Sequence, residues 1–136
     1  MLETPNVLFV DDDERLLESL KIVLRREPYT VLTASSIEAA KQVLATRRVD
    51  VIVCDDRLPA QSGTSFLTEL KNDAHPAVRI VLSGGGLPTA QRAINEAGVF
   101  RFLAKPCTSK AIAAAVRESI EMSFERTSEI RDFSGR

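Results

Sequence analysis

Four short groups of residues in this sequence could do chemistry together: Asp11-Asp12-Asp13, Asp55-Asp56-Arg57, Ser83-Gly84-Gly85-Gly86 and Lys105-Pro106. Adjacent carboxylates repel one another unless a cation offsets them. Asp11, Asp12 and Asp55 offer hard oxygen ligands of the kind Mg²⁺ takes one or two at a time, beside waters and phosphate oxygens. Lys105 brings a compact positive charge suited to a phosphoryl group, and Ser83 a hydroxyl donor. A carboxylate can also act as the nucleophile in phosphoryl transfer, giving an aspartyl phosphate. The rest of such a reaction is positioning and charge neutralisation, which a divalent cation, a lysine and a hydroxyl supply. Taken singly, each group has an ordinary explanation. Asp-Asp after a strand commonly caps a helix, and a lone lysine is commonly a solvated surface group. The chemistry follows only if the fold brings all four to one place.

The elements that must position them are legible. Apolar runs occupy Asn6–Val10, Tyr29–Thr33, Val49–Cys54, Val78–Leu82 and Val99–Ala104. They are short and mostly β-branched or aromatic-rich, and the first, third and fourth are nearly continuous, as for parallel strands covered on both faces. Helical patterns lie between them. Leu16, Leu17, Leu20, Val23 and Leu24 form one amphipathic stripe. Ser35 and Glu38 have the spacing of a capping box for a second helix. A third helix runs from Ser62 to about Asn72, and a fourth has Pro88 in its first turn and ends near Gly98. A fifth starts after Thr108 or Ser109 with Ile112, Val116, Ile120 and Phe124 facing the sheet. Five alternating strands and helices predict an open, doubly wound α/β fold with a parallel sheet and right-handed crossovers. Ligands of such sheets bind at the carboxyl ends of the strands. All four chemical groups stand there, and only the second strand ends in nothing comparable.

Length and composition agree. The 136 residues make one domain at roughly 100–200 residues each, and 44% of them are apolar, enough for one core. The division expected is a domain over residues 1–126 and a helix extension or tail over 127–136. Eighteen basic residues against nineteen acidic ones leave a net charge of −1, so no global basic field draws the chain to nucleic acid or to an anionic membrane. No apolar run approaches the roughly 20 residues that span a bilayer. No basic-then-apolar leader is read at the N-terminus, and Cys54 and Cys107 read as reduced, mostly buried thiols, so a cytoplasmic location is expected.

Residues 7–13 (Val-Leu-Phe-Val-Asp-Asp-Asp), 51–63 (Val-Ile-Val-Cys-Asp-Asp-Arg-Leu-Pro-Ala-Gln-Ser-Gly), 81–84 (Val-Leu-Ser-Gly) and 100–106 (Phe-Arg-Phe-Leu-Ala-Lys-Pro) carry a likeness. Through them the sequence resembles the receiver domain of bacterial two-component response regulators, over about residues 5–125. The resemblance implies a flavodoxin-like sheet in the order 2-1-3-4-5 with five flanking helices. It implies that Asp55 is the phosphoacceptor, that Asp11, Asp12, Asp55 and the backbone carbonyl of Arg57 hold Mg²⁺, and that Lys105 contacts the phosphoryl group. It makes Ser83 and Phe102 the switch pair, and gives Lys105-Pro106 a cis peptide bond. The partners implied are a sensor histidine kinase or a histidine phosphotransfer protein, with signalling, or a homodimer, through the helix 4–strand 5–helix 5 face. Neither direct nucleic-acid binding nor membrane binding is expected, and no small-molecule turnover, so the chain is not read as an enzyme.

Three departures stand out. Leu58 replaces a frequent Met, Arg57 places a cation two residues past the acceptor, and Gly84, Gly85 and Gly86 replace a single small residue. Asp13 and Asp56 read as solvent-side neighbours, and His75 as a surface residue. Two other classes remain to be weighed. A haloacid-dehalogenase-type phosphatase with an aspartyl nucleophile needs a second Asp where Arg57 stands. A constitutive, non-phosphorylated interaction module would have no use for the intact acidic set.

Overall fold

The computed structural model describes the backbone of residues 4–134 and the side chains of residues 4–125. Among the described residues, five strands alternate with five helices: β1 Asn6–Val10, α1 Glu14–Val23, β2 Thr30–Ala34, α2 Ile37–Thr46, β3 Val51–Asp55, α3 Gly63–Asn72, β4 Val78–Ser83, α4 Leu87–Ala97, β5 Arg101–Ala104 and α5 Ser109–Ser134. The sheet is parallel throughout, in the order β2-β1-β3-β4-β5. Alternation along each strand divides the core in two. Val7, Phe9, Val51, Val53, Ile80 and Leu82 pack beneath α1 and α5. Leu8, Val10, Ile52, Cys54 and Val81 pack beneath α2, α3 and α4. Cys54 and Asp55 therefore face opposite sides, and the Cys54 thiol is fully buried. No helix among the described residues is long and apolar enough to cross a membrane.

The helix starts follow capping chemistry. Asp13 is exposed, as expected of a solvent-side neighbour, and its carboxylate also accepts the N–H groups of Arg15 and Leu16 at 3.1 and 3.2 Å, making it the N-cap of α1. Ser62 Oγ caps α3 by accepting the Ser65 N–H. Gly98 closes α4 in the left-handed region at φ 61°, where a glycine carries no Cβ penalty. The expected Ser35–Glu38 box is corrected. Ser36 is the N-cap of α2, its Oγ accepting the Ala39 N–H at 3.0 Å. The register that buries Ile37 and Ala40 makes Ser36 the last extended residue.

Two apolar stripes also differ from expectation. In α1 the buried positions are Leu17 and Leu20, followed by Leu24 just past the helix, while Val23 is 52% exposed. One residue is about 100° of rotation, so Leu24 occupying the buried line turns Val23 outward. In α5, Ile112 and Val116 are buried, Ile120 is half-buried and Phe124 is 44% exposed. A strict four-residue repeat advances about 40° per step past a full turn, so by the third step the stripe has rotated about 120° off the core. Ser119 takes the buried line instead, its Oγ donating to the Ala115 carbonyl at 2.8 Å. The flank charges of α5 are paired within the chain: Arg117 with Glu27 at 2.8 Å, and Glu118 with Arg101 at 2.6 Å.

Gly63, the first residue of α3, lies directly against the end of β3. A Cβ there would stand 2.1 Å from the Asp55 carbonyl oxygen, a backbone atom that cannot swing aside. Gly63→Ala should cost about 2 kcal/mol or more, since overpacking must push α3 off the strand. Urea denaturation of the variant checks this; unchanged stability would mean that α3 shifts freely.

Candidate functional site

Strand register brings the chemical groups level. Val10 lies opposite Cys54, Asp55 opposite Leu82, and Ser83 opposite Ala104. Asp55 and Ser83 end their strands, and Asp11 and Lys105 follow theirs by one residue, so all four reach one rim. Asp11, Asp12, Asp13, Asp55, Arg57, Gly84 and Lys105 line an open cleft of about 500 Å³ there. A shallower apolar groove elsewhere, along Ile22 and Val23 of α1, contains none of the four chemical groups.

The ionic geometry is close. Lys105 Nζ stands 3.2 Å from Asp55 Oδ1 and 3.4 Å from Asp11 Oδ2. Both aspartate side chains are only 6% exposed, against 34% for Lys105. The other Asp11 oxygen accepts the Asp13 N–H at 2.9 Å, holding that carboxylate in place. Asp12 is exposed. Burial pushes the Asp55 carboxyl above the usual aspartate range, and the Asp11 charge pushes it further. The Lys105 hydrogen bond and charge, together with the backbone N–H of Arg57, pull it back only in part. Burial lowers the Lys105 pKa, but the hydrogen bond to Asp55 and the charges of Asp11 and Asp55 outweigh it, so the ammonium is held more firmly than usual. Two carboxylates and one ammonium leave a negative surplus, which explains why both shifts run upward.

That surplus fits a divalent cation. One oxygen from each of Asp11, Asp12 and Asp55 can be chosen so that all lie within 4.8 Å of one another. The exposed Asp12 leaves room on the solvent side for the waters that Mg²⁺ keeps. Ser83, almost fully buried, is held by its own loop, its Oγ accepting the Gly85 N–H at 3.0 Å. Phe102 is half-buried against the α2–α4 side of the core. The Lys105-Pro106 peptide is cis. Arg57 is exposed and lines the cleft.

The rim therefore gathers Asp11, Asp12, Asp55, Lys105 and Arg57, with Ser83 at the adjacent strand end and Phe102 outside the cleft. The sequence reading missed Asp56 as a structural residue. It stands outside the acidic cluster, as expected, but is half-buried, and its carboxylate accepts both the N–H and the hydroxyl of Thr64, at 3.0 and 2.6 Å. No periodicity links positions 56 and 64; the only cue was a carboxylate preceding a helix start. His75, half-buried in the loop before β4, is a local turn residue, its Nδ1 accepting the Ala77 N–H at 3.1 Å.

A parallel, doubly wound α/β domain with an acidic rim and a lysine at its carboxyl edge defines a narrow class. The chain belongs to the response regulator receiver domain family, whose model matches residues 7–117. It is similar to the hydrogenase transcriptional regulatory protein HoxA of Cupriavidus necator, 36% identical over 116 residues that cover 85% of this chain and 24% of that protein. The chain thus spans about a quarter of the length of such a relative. Among solved structures, an adenylate cyclase from Rhodopirellula baltica aligns with a TM-score of 0.90 at 32% identity, covering 98% of this chain and 100% of the other. The signal receiver domain of an HD domain-containing protein from Pseudomonas fluorescens Pf-5 aligns with a TM-score of 0.87 at 29% identity, covering 94% and 95%.

The raised Asp55 pKa has a consequence for stability. The native state binds the Asp55 proton more tightly than the unfolded chain does. Stability from this group is therefore present at acid pH and lost as pH rises from the ordinary aspartate value through the native one. At neutral pH, with cations chelated, Asp55→Asn should melt higher than the unsubstituted protein and lose part of its decline with rising pH. Calorimetry in EDTA across the acid range checks this; a variant that melts lower would mean that the Lys105 ion pair outweighs the repulsion.

Proposed function

We propose that the chain is a phosphorylation-controlled signalling switch in which Asp55 accepts a phosphoryl group from a sensor histidine kinase or a histidine phosphotransfer protein. The observation that carries this reading is the carboxylate of Asp55 itself. It is buried at a strand end, 3.2 Å from Lys105 Nζ and within reach of two further carboxylates. An Asp55 oxygen attacks phosphorus, the O–P bond forms, and the N–P bond of the phosphohistidine breaks with its electron pair leaving on the imidazole. Lys105 holds the transferred oxygens by charge. Asp11, Asp12, Asp55 and the Arg57 carbonyl hold Mg²⁺, which when bound offsets the charge of the phosphoryl oxygens.

The new charge on Asp55 draws the Ser83 hydroxyl away from the Gly85 N–H. Phe102, on the neighbouring strand, follows into the space beside β5, and the α4–β5–α5 face shifts between two populations. That face carries the output, to a partner protein or to a second copy of the chain. The intramolecular pairing of Arg117 and Glu118 favours apolar contacts such as Leu87 and Ile94 of α4 over charge exchange as the seat of any homodimer. The protein acts as a cytoplasmic signalling module without metabolic turnover. Its signalling unit is residues 1–126, with 127–136 a helix extension or tail; the side chains of Ile130 and Phe133 lie outside the described residues. Neither nucleic acid nor membrane is a direct partner.

Acetyl phosphate with Mg²⁺ should raise the intact mass of the chain by one phosphoryl group, and Asp55→Asn should abolish the gain. Undiminished labelling of that variant would remove Asp55 as the acceptor.

A further inference from the structure

The turn that follows the acceptor is fixed by two residues that the transfer itself does not use. The Asp56 N–H donates to the Leu82 carbonyl at 3.2 Å, and the Asp56 carbonyl accepts the Gly63 N–H at 2.9 Å. Its carboxylate accepts the N–H and the hydroxyl of Thr64 at 3.0 and 2.6 Å, and Thr64 is only 2% exposed. One residue thus ties β3, β4 and the first turn of α3 together. These bonds are not needed to start the helix, because Ser62 already caps it through the Ser65 N–H. They close the two ends of the loop that carries Arg57 and that holds Ala60 at φ 75°, a left-handed conformation a non-glycine residue keeps only when its surroundings enforce it. The residue immediately after the clasp is Arg57, which lines the acidic cleft.

We infer that Asp56, acting through Thr64, is a positioning residue for the divalent-cation site. The clasp fixes the turn that carries the peptide of Arg57, so that its carbonyl stays available to the cation. The Thr64 hydroxyl donates to Asp56, so its influence on the cation site passes through that residue and the backbone. Loss of outer residues that orient a metal site typically weakens metal binding by about ten- to a hundredfold. The inference rests on the proposed phosphoryl-acceptor reading, and Mg²⁺ binding to the unphosphorylated chain separates the two.

Mg²⁺ titrations followed by amide NMR on the full chain test it. Asp56→Ala should weaken binding about tenfold. Thr64→Val, which keeps the shape and removes only the hydroxyl, should weaken it about threefold. Asp56→Asn and Thr64→Ser retain an acceptor and a donor respectively and should bind close to the unsubstituted protein. In Asp56→Ala the Arg57 amide resonance should move before any Mg²⁺ is added. If Asp56→Ala fails to fold, the Thr64 pair decides alone. Unchanged affinity in Thr64→Val, or equal weakening in Asp56→Asn and Asp56→Ala, overturns the inference, the latter by making charge rather than the clasp the active property. Absence of Mg²⁺ binding to the unsubstituted protein at Asp11, Asp12 and Asp55 would instead overturn the reading beneath it, and the inference with it.

Discussion

Repulsion between two nearly buried carboxylates governs the functional edge of this protein. Asp11 and Asp55 stand at the ends of adjacent strands, and a single ammonium, Lys105, reaches both. Burying charge is tolerable only when partners satisfy it, and here satisfaction is deliberately incomplete: the Asp55 carboxyl is pushed up by burial and by Asp11 despite the lysine. A rim in that state favours whatever brings positive charge. It also leaves the Asp55 carboxylate poorly solvated, and a poorly solvated carboxylate is a better nucleophile than a fully hydrated one.

The rest of the fold keeps this arrangement from relaxing. Parallel register sets four strand ends level, and the two-sided core fixes the sheet from both faces. Asp13 starts α1 immediately after the acidic pair, so the positive end of that helix lies beside the negative cluster. Gly63 lets α3 approach the Asp55 carbonyl more closely than any side chain would permit. The Asp56–Thr64 bonds then close the loop between them. On the far side, Ser83 rests on the Gly85 N–H, a weak neutral bond that a nearby anion can outcompete.

Much of this was legible in the sequence. The strand ends and the gathering of Asp11, Asp12, Asp55 and Lys105 follow from apolar runs and polar punctuation, because short-range pattern and the carboxyl-edge rule act together, while the 2-1-3-4-5 order came from the family resemblance. What was not legible depends on three-dimensional neighbours. Ser35 and Ser36 look alike as caps until burial of Ile37 chooses between them. Phe124 falls in a four-residue repeat, but the repeat outruns the helical turn. Nothing in the local pattern around Arg117 points to Glu27, ninety residues away, which pairs with it. Asp56 looks like a spare carboxylate until Thr64 folds back on it.

The central claim, that the rim carries unbalanced negative charge awaiting a cation, is measured most directly at Asp55 itself. Carboxyl ¹³C NMR would follow its titration with and without saturating Mg²⁺. The account predicts that Asp55 titrates above the usual aspartate range in the absence of the cation and falls well below it when the cation is present. A titration at the ordinary aspartate value in both conditions would contradict it.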